Sequence, residues 1–431
     1  MSFPDLVRAL GSLDCNIGAM LSELSSGSLE DYSIKLCEAA QRCTPTSTLY
    51  RDLIARYSGT ADTPGIRDNL ERFPLIQTGF HSQLLLDPIS YYTYALFSSG
   101  LANMGARYCI NYSCSTNSLQ NKKGVGPGWL DAGSSTVNVF GLSRKKLDDL
   151  TVCLPKGEVW DFDNLLSNSD PDLRKLAHIL SGVRGTTAEA VFNKANVKLS
   201  QLISQRIEGV FFGENAVCDI LAELIFRDDP VVSSLLFDSH VRNDIVGAVR
   251  SWNSRSVSAI LPFGTELFWI RKGSKLKNAM IIADRIQAVS GPQDGSFSLN
   301  KFDIVNAIES RALVPSLFLT FTIVGILPRI TVLGGHRQIF YFPIIHKTIM
   351  NALAKARFHP PSELNDMIGD PLHGWIVGLY FSNDNPLRKL SSGILESEFQ
   401  AIRGSRLRDS VESFPIPSVD PTWASLVGMI R

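Results

Sequence analysis

The apolar positions of this chain change their spacing several times, and each change predicts a different element. In "DLVRALGSL" and "EDYSIKLCEAAQRC" they recur at three- and four-residue intervals, which predicts short amphipathic helices within residues 1–72. "GTADTPGIRDNL" reads as a loop entering another helix, with Thr63 as its cap and Pro64 in its first turn. The texture becomes strand-like at Phe73. "FPLIQTG" is a short apolar run stopped by a glycine, and "DPISYYTYALFSSGLANMG" is a helix with Asp87 as cap and Pro88 in first position. Gly100 and Gly105 close that helix, and "RYCINYS" follows as a second strand. Strand, helix and strand in this order make a βαβ unit, which requires a parallel pair and a right-handed crossover.

Beyond it, "NKKGVGPGWLDAGSS" is a glycine-rich loop, a lid or a plain connection. The spacing from about 158 to 252 is helical throughout. β character returns in "SVSAILPFG" and in "ELFWIRKGSKLKNAMII", a hairpin turning at Lys272 to Ser274. A helix from Asn300 to Arg311 precedes "ALVPSLFLTFTIVGILP", which carries no charge but is interrupted by Pro315, Gly325 and Pro328. A spanning helix needs roughly 20 apolar residues, so this run is expected to form buried β segments. The tail after 358 is expected to wrap the body.

Composition narrows the function classes. The 42 basic and 42 acidic side chains cancel, so charge offers no argument for nucleic acid as a partner. No membrane partner and no signal peptide are expected, and the start "MSFPDLVRALGSLD" lacks an apolar core. Seven cysteines, an odd number with no CxxC pair, suit reduced thiols in a cytoplasmic protein. No His or Cys spacing predicts a metal site. "RDDP" reads as a helix cap, "DFDN" has too few oxygen ligands for a cation, and of Tyr91, Tyr92 and Tyr94 two are expected on the sheet and one at a cleft.

The candidate chemistry lies in two glycine-bearing loops, each between an apolar strand and a helix: "QTGFHSQ" at 77–83 and "LGGHRQ" at 333–338. In an open parallel sheet such loops share the carboxyl edge, where ligands bind. Glycine admits a ligand to the backbone, and free N–H groups of a helix start favour an anion. Each loop supplies an imidazole, His81 and His336, and the second adds Arg337, suited to a carboxylate or phosphate. Neither GxGxxG nor GxxxxGK[ST] occurs.

The order of these features resembles the bacillithiol-biosynthesis enzymes described as putative cysteine ligases. That family pairs a T-G-Q-Q loop with a following G-P and a tyrosine-bearing helix, and the matching text here is "TGFHSQLLLDPISYYTY". Its leucine-proline strand ending in G-G-x-x-E before an aromatic helix is matched by "LPRITVLGGHRQIFYFP". The likeness covers about 74–118 and 263–350. It implies an α/β fold: a Rossmann-like parallel sheet core with a large helical insertion and N-terminal helices. The units are then 1–72, 73–150 (first half of the core), 151–255 (helical insertion), 256–358 (second half) and 359–431. It also implies a ligase or transferase joining an amine or aminothiol to a carboxylated acceptor, with ATP or another nucleotide the candidate cofactor. His81 and His336 are the expected catalytic residues. Thr78, Gly79, Ser115, Thr116, Asn117, Gly334, Gly335, Arg337 and Gln338 are the expected substrate contacts. Where the family carries E-D-H-D, this chain reads "SCSTNSLQ". The alternative is a non-catalytic relative that binds a small anion or nucleotide in the same cleft.

Overall fold

A computed structural model describes residues 3–4, 7–8, 11, 15–41, 48–120, 126–133, 135–254, 265–335, 338–356, 375–376, 385–392 and 403–413. The strands in chain order are β1 (Leu75–His81), β2 (Tyr108–Cys114), β3 (Trp129–Asp131), β4 (Thr136–Asn138), β5 (Glu208–Phe212), β6 (Phe268–Lys272), β7 (Lys275–Ile282), β8 (Arg285–Ala288), β9 (Ser296–Ser298), β10 (Leu313–Pro315), β11 (Thr331–Gly334) and β12 (Trp375–Ile376). Five of them form one sheet in the order β12-β11-β1-β2-β5, with every pair parallel. The protein is therefore a mixed α/β molecule built on a parallel sheet. A second sheet, in the order β10-β6-β7-β8-β9, is antiparallel and turns at Gly273, whose φ of 63° suits a residue without a side chain.

The parallel sheet is buried on both faces, which is why its strands read as continuous apolar runs. Along β2, Cys109 faces one core while Tyr108, Ile110 and Tyr112 face the other; along β5, Phe211 faces the first while Val210 and Phe212 face the second. Helices α1 (Pro88–Asn103) and α2 (Ala188–Ile203) cover the first side. Helices α3 (Glu214–Phe226) and α4 (Gln338–Lys355) cover the second, where the antiparallel sheet also packs. Asp87 caps α1 through the Ser90 amide at 3.0 Å, with Pro88 following as expected.

Several elements depart from the sequence reading. The helical stretch 151–255 also supplies β5, because the run "EGVFF" has no periodicity to separate a buried strand from a helix. The apolar run after 312 gives only the short β10; Leu317–Phe321 is α-helical and Thr322–Ile326 a π-helical turn, all of it buried except the half-buried Leu317. Burial on every side removes the amphipathic signature by which a helix would have been recognised. The cap at 62–65 is Asp62, which accepts from the Gly65 amide at 3.1 Å, one residue before Thr63. Tyr91, Tyr92 and Tyr94 are all buried, and none borders the cavity described below. "SVSAILPFG" and most of the tail lie outside the described residues. The described part of the tail touches the body, with Lys389 Nζ 3.2 Å from the Tyr92 hydroxyl. Among the described residues no helix is long and apolar enough to cross a membrane.

Candidate functional site

All five parallel strands end on one edge, so the loops after β1, β2, β5 and β11 converge there. The two glycine-bearing loops lie side by side, since Gln77 pairs with Leu333. Their glycines serve that closeness. β1 carries an extra residue between Gln77 and Phe80 relative to β2, and the Gly79 amide turns away from the ladder to donate to Gln77 Oε1 at 2.7 Å. A Cβ on Gly79 would stand 3.0 Å from the Gly335 nitrogen and 3.2 Å from the Gly334 carbonyl carbon. Gly334 has no room either, because the Gln338 side chain folds back over it. Thr78 Oγ1 lies 2.7 Å from Gln338 Oε1 and 3.2 Å from the Leu333 carbonyl oxygen, all inside the protein. Thr78, Gly79, Gly334 and Gln338 thus meet one another in a sealed contact. Gly335 is exposed, and His336 and Arg337 lie outside the described residues.

The open space is on the other side of β1. A cavity of about 780 Å³ sits over the ends of β1 and β2, bounded by the loop after β1 and by residues 117–120 and 126–131, a size suited to a small molecule. His81, the last residue of β1, stands at its floor, and its Nδ1 is 2.8 Å from Asn117 Nδ2. The ring is exposed to the open cavity, and the protein around it, by displacing part of its hydration, pushes its pKa below the ordinary histidine value, against an opposing pull from Asp87. At neutral pH the imidazole is uncharged. Asn196 fixes the loop after β1 by accepting from the Leu85 amide and donating to the Gln83 carbonyl, both at 2.8 Å.

The walls carry three carboxylates, Asp87, Asp131 and Asp148, and no Lys or Arg side chain borders the cavity among the described residues. Leu84, Leu86, Leu130 and Val139 supply apolar surface. Trp129 Nε1 and Gln120 Oε1, both on lining residues, are shielded from solvent and have no protein partner among the described residues. The sequence reading expected an anion at this edge; the electrostatics of the cavity favour a cation. Triphosphate does not fit this lining, because its charge would meet carboxylates and no described cation.

Of the expected contacts after β2, Asn117 lines the cavity, Thr116 is half-buried with its hydroxyl 3.6 Å from Cys114 Sγ, and Ser115 is wholly buried. Ser115 opens onto a network that sequence reasoning missed. Its hydroxyl touches both Glu189, in the first turn of α2, and Glu214, the first residue of α3. The Ser115 amide donates to Glu214 Oε2 at 2.5 Å, and the Tyr112 hydroxyl donates to Glu214 Oε1. Burial, then the charge of Glu214, pushes Glu189 up to about 7; burial also raises Glu214. The missed signal was "VFFGEN", a third apolar run, glycine and helix start of the same design as the two loops that stood out.

Cys37, Cys109, Cys153 and Cys218 are buried, and burial raises their thiol pKa values; that of the half-buried Cys114 is pushed up to about 12. None of these five is an activated nucleophile. No protein-family model matches the chain, and no curated protein matches it.

Proposed function

We propose that the protein is a small-molecule enzyme of the ligase or transferase class, joining an amine or aminothiol to a carboxylated acceptor on a Rossmann-like core. The observation that carries this reading is the uncharged His81, held by Asn117 at the floor of a cavity rimmed by three carboxylates. Numbered by position in the chain, the parallel strands lie in the order fifth, fourth, first, second, third, which is the order of doubly wound nucleotide-binding folds. That order, with helices on both faces, supports the core.

In this reading Asp87, Asp131 and Asp148 draw a protonated amine into the cavity, and the apolar wall receives its carbon skeleton. A cavity carboxylate takes one proton from the ammonium, and the freed nitrogen lone pair attacks the carbonyl carbon of an acyl group that already carries a leaving group. That group departs with its electron pair and the second N–H proton, while His81, which accepts from Asn117 at Nδ1 and so carries its hydrogen on Nε2, donates Nε2–H to the carbonyl oxygen. A neutral imidazole is the state this step needs. The acceptor's carboxylate is assigned to His336 and Arg337 from the sequence alone, since both lie outside the described residues. No step is assigned to a nucleotide.

Titration calorimetry with a panel of amino acids, aminothiols and amines tests the first half of the reading. Cysteine-like or other cationic amines are expected to bind. Asp131→Asn is expected to weaken that binding by roughly tenfold, about 1.4 kcal/mol. Binding of nucleotides or dicarboxylates with no heat from any amine would favour a non-catalytic anion-binding relative instead.

A further inference from the structure

The network beneath the cavity contains a proton-counting problem. The Ser115 hydroxyl touches one oxygen of Glu189 and one of Glu214, but it has a single hydrogen to give. One of the two contacts therefore needs a hydrogen from a carboxyl group. The surroundings decide which. Glu214 already accepts from the Tyr112 hydroxyl and the Ser115 amide, so its ionised form is well satisfied, whereas, Ser115 aside, Glu189 accepts among the described residues from Asn215 alone, whose backbone amide is 3.2 Å away. The arrangement is Glu189 O–H to Ser115 Oγ, and Ser115 O–H to the Glu214 carboxylate.

The other groups facing the pair leave this assignment intact. Tyr112, Cys114, Cys153 and Cys218 are neutral at physiological pH, their values raised by burial. Arg311 is the cation on this side, but it is bound to Asp219 at 2.6 Å and to the Asn215 side chain at 2.8 Å. The segment that carries Ser115 is tied down along its length. The Ser115 carbonyl accepts from the Cys153 amide at 3.1 Å and the Asn117 carbonyl from the Val152 amide at 3.0 Å, while the Glu189 amide donates to the Val152 carbonyl at 3.1 Å. Two residues along, Asn117 holds His81.

We propose that Glu189 and Glu214 share one proton across the Ser115 hydroxyl, and that this bridged pair is the positioning element that keeps Asn117, and through it His81, at the cavity floor. Losing the proton sets two buried carboxylates against each other and removes the donor to Ser115, so the segment 115–117 shifts and the His81 ring shifts with it. The proposal rests on His81 being the working residue of the cavity, but its test needs no substrate.

Infrared difference spectra of the whole protein between pH 6 and pH 8 should show a protonated carboxyl band that disappears as pH rises; its absence overturns the shared proton. Ring-labelled histidine spectra, assigned by comparison with His81→Gln, should show the His81 signal inflecting near its own low pKa and again near pH 7. Glu189→Gln mimics the protonated acid and should abolish the second inflection. Glu214→Gln removes the repelling charge but not the burial, so the second inflection should leave pH 7 for a lower pH. Retention of the inflection near pH 7 in either variant overturns the proposal, as does a pair that titrates without moving the His81 signal. Melting temperature gives a further readout. An acid whose folded pKa is raised contributes stability that is complete below about pH 4.5 and lost as pH rises to about 7. Between pH 5 and pH 7.5 wild type should therefore lose about 3 °C more than Glu189→Gln, and equal losses would count against the pair.

Discussion

Gly79 and Gly335 lie across one strand junction yet are glycine for different reasons. A methyl group on Gly79 would press on the backbone of Gly334 and Gly335, which cannot move without parting β1 from β11, whereas a Cβ on Gly335 meets nothing within 4 Å. Gly79→Ala should cost about 1–3 kcal/mol in urea unfolding, and Gly335→Ala should stay within about 0.5 kcal/mol of wild type. Similar losses for both would mean that the close approach is not what selects glycine. The glycines were visible in the sequence, as was His81, because a side-chain-free residue between apolar strand and helix is a local signal. Asp131, Asp148, Glu189 and Glu214 carried no such mark. An acid is read as a solvated face until the fold shows what it meets, and Glu189 meets Ser115 from 74 residues away.

Elements bounded by local chemistry were the legible ones. The βαβ unit, the hairpin at Gly273 and the helix capped by Asn300, which accepts from the Asp303 amide at 2.9 Å, all rest on caps or turns written in adjacent residues. "RDDP" is of this kind: Asp229 accepts from the Val231 and Val232 amides at 3.1 and 2.9 Å, and its other oxygen accepts from the Tyr50 hydroxyl at 2.8 Å. Asp229→Ala removes a cap and a buried acceptor together, so a loss of about 2–4 kcal/mol is expected in denaturant unfolding. A loss below about 1 kcal/mol would show that the Tyr50 contact contributes nothing beyond the cap. Strand β5 and the turn at Thr322–Ile326 were illegible because complete burial erases period.

For the molecule as a whole, the parallel order and the convergence of strand ends followed from one βαβ unit and the handedness of its crossover. The position of the cavity did not. Which side of β1 stays open depends on Gln338 sealing one side and on residues 117–120 and 126–131 standing away from the other. Charge in that cavity sets a pH dependence. The protein around His81 holds its pKa down, so the ring is neutral at pH 7 and gains a positive charge in acid, where it repels a bound ammonium. Amine binding should weaken by roughly tenfold from pH 7.5 to pH 5.5, about 1.4 kcal/mol, and less steeply in His81→Gln. An affinity that rises in acid would place the ligand's charge elsewhere.

The helical stretch between the two halves of the core looks removable, yet it delivers β5, whose backbone pairs with β2 from Tyr108 to Tyr112. A shortened chain without 151–255 would leave that row of amides and carbonyls open along an apolar edge, a template for stray pairing. Such a protein should scatter light and pellet when expressed, while the full chain should remain monodisperse.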